Sequence, residues 1–327
     1  MILIISEQED YSTERVTKWL DHLHAKYFRL NKEDPIKNLE ITFSNNDFSI
    51  NLYINEEWLL FKEIHSVWYR RGELNFDFDL TFTKNATDSF VKGVQYNLIH
   101  EELKTINDFM EHVLINKPSL GSMKWKNANK LLSLLYAQRA ELEVPKSIIS
   151  TEKKQLKTFF KESKKDCISK GVQDVMSFVS DNNSYSYATS KILSKDIEDM
   201  SETFFPSLLQ HNIDKKYEVR TFYLNGDFYS MAIFSQNDEK TSVDYRNYNV
   251  QKPNRNVPYL LPKKIEDKLT VFMNSMELNT GSIDLIVTNN NEFVFLEVNP
   301  SGQYGMVSIP CDYELDFKIA KHLISLK

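Results

Sequence analysis

The chain has 327 residues, of which 41% are hydrophobic and 13% aromatic, enough for about two or three domains with cores of their own. Its 46 acidic side chains outnumber the 40 basic ones, and the net charge of -6 argues against nucleic acid as a main partner. No apolar run approaches the roughly twenty residues of a membrane-spanning helix, and the start lacks the basic leader of a signal peptide. We therefore expect a cytoplasmic protein with no nucleic-acid partner and no membrane partner.

Cysteine and glycine usage excludes several further classes of protein. The two cysteines, Cys167 and Cys311, lack the paired spacing of a zinc site or a disulfide framework, so we expect ordinary core residues in a reducing compartment. The chain has only 8 glycines and contains neither Gly-x-Gly-x-x-Gly nor Gly-x-x-x-x-Gly-Lys-Ser/Thr. The sequence therefore predicts neither a Rossmann nor a Walker phosphate loop.

The first 115 residues predict an open α/β domain. The predicted elements are a strand at 1–5, a helix with Ser12 as N-cap, short strands at 39–43, 48–53 and 67–69, and a helix at 86–114. Arg70 and Arg71 end the third of the short strands, either as solvated charges or as part of a functional segment.

The middle segment, residues 116–202, predicts two helices and a strand. The first helix spans 127–140 and leads to a Val-Pro turn, and the second spans 151–165. The second helix is basic and amphipathic, which fits either a solvated face or a surface on which an acidic peptide lies. The strand that follows, Cys167-Ile-Ser-Lys170, places a lysine just before a turn.

The next stretch predicts a strand at 205–211 and then a hairpin that contains Glu218 and Arg220 and closes at an Asn-Gly-Asp turn. Because successive side chains of a strand point to opposite faces, Glu218 and Arg220 share a face. From these residues alone, the pair is an ion pair on a hairpin. A polar segment, Val243-Asp-Tyr-Arg246, and a predicted helix at 261–278 come next.

A second predicted hairpin lies near the end of the chain, where strand-like runs at 282–288 and 293–299 flank an Asn-rich turn. Glu297 and Asn299 share one face, and Asp284 on the partner strand lies within reach of both. Two carboxylates and an amide oxygen suit Mg²⁺, which leaves its other positions to water and substrate phosphates. The alternative is an acidic pair on a wet face. Glu297 lies in an apolar run, however, and a buried carboxylate needs a cation or several donors.

This hairpin resembles a known family. Asp284, followed one hairpin later by Glu297-Val-Asn299-Pro-Ser-Gly, resembles the metal-binding signature of the ATP-grasp superfamily. The longer string Phe295-Leu-Glu-Val-Asn-Pro-Ser-Gly-Gln-Tyr-Gly305 is similar to one branch, the graspetide synthetases, which include the microviridin-type ligases and the grasp-with-spasm peptide maturases. The resemblance implies an α/β (α+β) ATP-grasp fold. Its parts would be an N-terminal pre-ATP-grasp domain at 1–115 and two lobes that clamp ATP, at 116–202 and 203–327.

The resemblance also implies which residues bind ATP. Lys130 and Lys170 would contact the phosphates, with Lys124 and Lys126 as alternatives to the first. The hinge strand and the hairpin after it would hold the adenosine, with the adenine edge framed by Leu209, Gln210 and His211 and the ribose hydroxyls bound by Glu218 or Asp214.

Three further residues would act on the reacting groups. Arg220 would neutralise the γ-phosphate or the acyl phosphate, as suits a bidentate cation. Arg246 would position the acceptor carboxylate, and Asp244 would orient that arginine or accept the proton of the nucleophile. The alternative for Asp244 and Arg246 is an irregular polar loop. Mg²⁺ would be bound by Asp284, Glu297 and Asn299.

The activity implied by the resemblance is ATP-dependent peptide macrocyclisation. Asp or Glu side chains of a ribosomal precursor peptide would be phosphorylated and then joined to Thr or Ser hydroxyls, giving ω-esters, or to Lys amines, giving ω-amides. The partner would be a precursor with a leader and an acidic core containing Thr or Lys, and the enzyme would be a homodimer. One alternative is an ATP-grasp ligase that acts on free amino acids or adds glutamate to a protein tail. The other is a non-catalytic protein that binds nucleotide and peptide.

Overall fold

The structure, a computed structural model, describes residues 1–78, 87–125, 129–173, 177–180, 183–186, 189–236 and 253–326. The chain divides into two compact units, Met1–Lys126 together with Glu314–Lys327, and Asn127–Tyr313. The three domains expected at 1–115, 116–202 and 203–327 stay a prediction. Along the described ranges, no helix is both long enough and apolar enough to cross a membrane.

The first unit contains two sheets. In chain order its elements are β1 (Ile2–Ser6), α1 (Tyr11–His22), β2 (Tyr27–Asn31), β3 (Pro35–Ser44), β4 (Asp47–Ile54), β5 (Glu57–Leu60), β6 (Ser66–Tyr69), β7 (Asn75–Phe76), α2 (Asp88–Asn97), a π-helical segment (Leu98–Leu103), α3 (Lys104–Ile115), β8 (Ser119–Leu120) and a C-terminal helix (Leu315–Ser325). One sheet is parallel and has the order β2-β1-β6-β8. The other has the order β5-β4-β3-β7.

The predicted strands and helices of the first unit are confirmed, with one change at a helix start. All five residues of β1 are buried, as expected for an apolar run in a parallel sheet. Asp10, and not Ser12, is the N-cap of α1, and its carboxylate accepts a hydrogen bond from the Ser12 amide at 3.1 Å. Both residue types suit an N-cap. Asp10 also forms a buried ion pair with Arg70, with 2.9 Å between Oδ2 and Nε, which holds the carboxylate in place.

The second unit contains the strands and helices of the candidate site. In chain order they are α4 (Lys130–Arg139), β9 (Ser147–Glu152), α5 (Lys153–Glu162), β10 (Cys167–Ser169), β11 (Ser177–Ser180), β12 (Asn183–Ser186), β13 (Ser190–Ile192), α6 (Ser194–Asp199), β14 (Thr203–His211), β15 (Lys215–Leu224), β16 (Asp227–Phe234), β17 (Arg255–Tyr259), α7 (Lys263–Ser275), β18 (Thr280–Thr288), β19 (Phe293–Asn299) and α8 (Gly305–Cys311). A central antiparallel sheet has the order β13-β10-β14-β9, and a five-stranded antiparallel sheet has the order β17-β16-β15-β18-β19. Strands β11 and β12 pair with each other.

The two larger sheets of the second unit are each covered by a helix with an apolar face. On the central sheet, Leu156 and Phe160 of α5 pack with Cys167 and Leu209. Three of the lysines of α5 are exposed, namely Lys154, Lys157 and Lys161. On the five-stranded sheet, Phe272 of α7 packs against Phe295 at 4.8 Å between ring centroids. This packing covers one face of the five-stranded sheet, so that polar side chains in the middle of β15 and β18 can line a pocket on the other.

Candidate functional site

A pocket lies between the central sheet and the five-stranded sheet of the second unit. Its volume is about 910 Å³, including the part that is open to solvent. Eight of the predicted site residues line it, namely Lys130, Lys170, Gln210, His211, Glu218, Arg220, Asp284 and Glu297. The sequence pattern and the fold therefore bring the same cations and carboxylates to one place.

The hairpin formed by β18 and β19 places the predicted metal ligands on one face. Asp284 pairs directly with Glu297, and Asn299 pairs with Ser282, two residues before Asp284. Side chains at this spacing share a face in an antiparallel pair, as the alternation of the sequence predicted. Thr288 donates its amide to the Glu292 carbonyl at 2.9 Å, and Asn291 adopts a positive φ of 61°, which closes the predicted Asn-rich turn.

The three predicted ligands differ in exposure. Asp284 is buried, Glu297 is half-buried and Asn299 is exposed. The apolar run around Glu297 predicted burial on both faces, but the Glu297 side chain is 20% exposed because its face is part of the pocket wall. Asp284 and Glu297 therefore offer two carboxylates to the pocket, whereas Asn299 lies on the same face of the hairpin but is not among the residues that line the pocket. Two carboxylates and an amide oxygen together are a donor set that fits Mg²⁺.

Within the described ranges, no three His, Cys, Asp or Glu side chains form a group that could hold a metal ion. The predicted set depends instead on Asn299 as its third ligand.

Arg220 holds the buried carboxylate of Asp284. The two residues are directly paired between β15 and β18. Nη1 of Arg220 lies 3.1 Å from Oδ1 and 3.0 Å from Oδ2 of Asp284. Both side chains are buried, so that each charge compensates the other in a region from which water is largely excluded. The predicted contact between Arg220 and a phosphoryl group would place that group beside the metal ligands.

Lys130 lies at the first position of α4, directly after the N-cap Asn129, whose side chain accepts hydrogen bonds from the amides of Leu131 and Leu132. The Lys130 ammonium donates to the Gln173 carbonyl at 2.7 Å and lies 3.8 Å from Oε2 of Glu297. The two alternatives to Lys130 differ in placement. Lys124 belongs to the first unit, where its ammonium lies 5.8 Å from the Trp125 ring centroid, and Lys126 falls outside the described residues.

The predicted hinge strand is β14. Of its last residues, one points into the core and two line the pocket. Gln210 lines the pocket, is 1% exposed and donates from Nε2 to Oγ of Ser147 at 2.9 Å. Leu209 points into the core on α5, so that only its backbone could frame an adenine ring. His211 ends the strand at the pocket, and Lys170 follows the paired strand β10.

Glu218, predicted to bind ribose, forms a buried ion pair with Lys215. The sequence patterns did not predict this pair. Oε1 of Glu218 accepts a hydrogen bond from the ammonium of Lys215, and both residues line the pocket. Two adjacent lysines precede Glu218, and only the register of β15 reveals which one faces inward. The alternative ribose ligand, Asp214, is exposed and accepts a hydrogen bond from Asn289 at 2.9 Å.

Two further catalytic residues were predicted from the polar segment at 243–246. Asp244 and Arg246 lie outside the described residues, and their roles stay predictions.

Comparison with known proteins agrees with this geometry. Residues 1–115 match the family model of the MvdD pre-ATP grasp domain. No curated protein has a significantly similar sequence.

Three similar solved structures are peptide ligases. A Chryseobacterium gregarium RiPP-associated ATP-grasp ligase, in complex with ADP and a leader and core peptide, has a TM-score of 0.81 and 22% identity, with 99% of this chain and 96% of that chain covered. The macrocyclase MdnC of Microcystis aeruginosa MRC, bound with the precursor peptide MdnA, has a TM-score of 0.76 and 22% identity, with 99% of each chain covered. The ATP-grasp ligase PsnB, complexed with a phosphomimetic variant of its minimal precursor, Mg and ADP, has a TM-score of 0.69 and 15% identity, with 99% and 98% covered.

These similarities extend over nearly the whole chain and confirm the predicted ATP-grasp fold. The chain therefore has an ATP-grasp fold, and its residues 1–115 are similar to the MvdD pre-ATP grasp domain.

Proposed function

We propose that the protein is an ATP-dependent peptide macrocyclase of the graspetide synthetase type. It phosphorylates Asp or Glu side chains of a ribosomal precursor peptide and joins them to Thr or Ser hydroxyls or to Lys amines. The observation that carries the proposal is the meeting of Asp284, Glu297 and Arg220 in one pocket with Lys130 and Lys170. Two carboxylates for a divalent cation and three cations for phosphates are the parts that phosphoryl transfer needs.

The relatives support a peptide as the substrate. The Chryseobacterium gregarium ligase is seen with a leader and core peptide, MdnC with its precursor and PsnB with a minimal precursor. PsnB is also seen with Mg and ADP, which are the metal and the product nucleotide expected here. By the same resemblance, the precursor of this enzyme has a leader and an acidic core that contains Thr or Lys.

Different pocket residues bind the adenine, the ribose and the phosphates of ATP. The central sheet and the five-stranded sheet form the two lobes that clamp the nucleotide. Gln210 and His211 lie where the hinge strand holds adenine, and Glu218 takes the ribose hydroxyls. Lys130 and Lys170 hold the phosphates as point charges on flexible side chains, which suits a triphosphate that changes position during the reaction.

Activation of a carboxylate requires charge neutralisation at the transferred phosphoryl group. Mg²⁺ bound by Asp284, Glu297 and Asn299 supplies part of that neutralisation. Arg220 supplies another part, because a guanidinium has five N–H donors and can hold Asp284 and a phosphoryl oxygen together. Lys130, near Glu297, adds a third positive charge on the same side of the pocket.

The covalent steps follow from this arrangement. A carboxylate oxygen of the precursor attacks the γ-phosphorus and displaces ADP, which gives an acyl phosphate. A hydroxyl or amine of the same peptide then attacks the carbonyl carbon, loses its proton and displaces phosphate. Arg246 would position the carboxylate, and Asp244 would orient that arginine or accept the proton. Each closed ring therefore consumes one ATP and removes one water from the peptide.

Mass spectrometry of a precursor peptide tests the proposed reaction. After incubation with the protein, ATP and Mg²⁺, we expect the peptide to lose the mass of one water for each ring closed. Mild base then distinguishes esters, which hydrolyse, from amides, which do not. A peptide of unchanged mass with ATP still consumed would contradict macrocyclisation and favour a ligase for amino acids or protein tails. A protein that binds ATP without consuming it would be the non-catalytic binding partner.

We also propose that the enzyme is a cytoplasmic homodimer. Between Asp88 and Leu103, α2 and the π-helical segment contain no buried residue, and Phe90 and Tyr96 are each 63% exposed. Large aromatic side chains as exposed as these are expected to be covered in an assembly. Light scattering should give twice the monomer mass for the wild type and the monomer mass for Phe90→Glu. Phe205→Glu, at an exposed residue of the second unit, is the control. A monomeric wild type would contradict the proposal.

A further inference from the structure

We infer that Lys215 is a positioning residue that makes Glu218 selective for ribose, and thereby makes the enzyme prefer ATP to 2′-deoxy-ATP. The inference rests on the proposed function, because it takes the pocket to be the ATP site. Lys215 lies buried at the start of β15, and no role was predicted for it from the sequence.

Two adjacent lysines at the start of β15 have opposite environments. Lys215 is 8% exposed, lines the pocket and contacts Glu218. Lys216 is exposed and donates to Oδ1 of Asn291 at 3.0 Å, at the turn between β18 and β19. Adjacent side chains of a strand point to opposite faces, and the register irregularity between Lys215 and Tyr217 puts Lys215, and not Lys216, on the pocket side with Glu218. The chain thus provides a matched control for a substitution at Lys215.

The ion pair between Lys215 and Glu218 is buried on both sides. The exposed fraction is 6% for the Lys215 side chain and 8% for that of Glu218. Removing a charge from water is unfavourable, and a buried carboxylate without a cation takes up a proton or attracts water. The Lys215 ammonium therefore supplies a cation to the buried carboxylate of Glu218 and fixes the direction of that carboxylate.

An ionised, oriented carboxylate discriminates between nucleotide sugars. It accepts hydrogen bonds and donates none, and its two oxygens can accept from both hydroxyls of a ribose while one of them also accepts from Lys215. A 2′-deoxyribose leaves one of these acceptors unsatisfied in a site that excludes water, which weakens binding. A protonated or reoriented carboxyl group has no such preference.

Steady-state kinetics with the two nucleotides test the inference. For the wild type and for Lys216→Met, we expect the KM for 2′-deoxy-ATP to exceed that for ATP by roughly 10- to 100-fold. For Lys215→Met, the KM for ATP should rise until the ratio approaches one, with kcat and the KM for 2′-deoxy-ATP little changed. Lys215→Gln keeps a polar side chain at this buried position and should lose the ratio too, which covers the case in which the methionine variant does not fold.

Other outcomes would overturn the inference. A wild-type ratio in either Lys215 variant, or an equal rise of both KM values, would show that Lys215 has only a structural role. An active wild type with equal KM values for ATP and 2′-deoxy-ATP would show that the enzyme does not discriminate between the two sugars. A wild type that consumes neither nucleotide with a precursor peptide present would contradict the proposed function first, so the two failures are distinguishable.

Discussion

Glu297→Gln is expected to abolish product formation while leaving the protein folded. Glu297 is the cross-strand partner of Asp284, and its carboxylate lies 3.8 Å from the ammonium of Lys130. The substitution removes one charge from the proposed Mg²⁺ site and the anionic partner of a phosphate-binding lysine. We expect kcat to fall by roughly a thousandfold or more. Because the Glu297 side chain is 20% exposed, an isosteric amide should fit without loss of stability.

The same hairpin supplies the control for Glu297→Gln. Glu292 is exposed at the turn, and Glu292→Gln should leave both activity and melting temperature unchanged. The double variant Asp284→Asn with Asn299→Ala should also be inactive, since it removes the other two proposed ligands. Undiminished turnover in Glu297→Gln or in the double variant would contradict the metal assignment.

Arg220→Met is expected to lower stability and activity together. It leaves the buried carboxylate of Asp284 without the guanidinium that contacts both of its oxygens at 3.1 and 3.0 Å. Breaking a buried ion pair from one side costs about 3–5 kcal/mol of the free energy of unfolding. We expect a loss of this size in denaturant titrations without nucleotide, and a large loss of kcat in the presence of ATP and Mg²⁺.

A double variant separates these two effects of Arg220. In Arg220→Met with Asp284→Asn, the unpaired charge is gone, so most of the stability should return while activity stays lost. Arg139→Met, at the exposed end of α4, is the control and should change neither quantity. If Arg220→Met were as stable as the wild type, the ion pair would not hold Asp284 in solution.

The hairpin that holds the proposed metal ligands could be predicted from the sequence because its geometry is local. Alternation along a strand places Glu297 and Asn299 on one face, and a short Asn-rich turn fixes which strand Asp284 pairs with. The exposure of Glu297 could not be predicted, because hydropathy does not reveal that one face of a sheet lines a pocket. The apolar residues next to it therefore suggested deeper burial than the structure has.

The pairing of Glu218 with Lys215 depends on information that is not local. Whether Lys215 or Lys216 faces the pocket depends on the irregular register between β15 and β18, where Lys215 pairs with Thr288 and Tyr217 with Val287. The contact between Arg220 and Asp284 has the same origin, since 64 residues separate them in the chain. Short-range patterns identified both charges of that pair, but only the strand order of the sheet places them side by side.

Short elements were the least predictable part of the fold, and in the second unit β11, β12, β13, β17 and α6 were not predicted. The short strand β2 and the edge strands β5 and β7 were missed, because each is brief and its stability comes from sheet pairing. The N-cap of α1 was assigned to Ser12 instead of Asp10, because the ion pair that favours Asp10 involves Arg70, 60 residues further along the chain.

Transfer of oxygen from the precursor to phosphate is the most direct test of the central claim that the enzyme activates side-chain carboxylates through an acyl phosphate. The precursor would carry oxygen-18 in its Asp and Glu carboxylates, and the released phosphate would be analysed by mass spectrometry. The account predicts one labelled oxygen in phosphate for each ring closed. Rings that form while the phosphate stays unlabelled would contradict it.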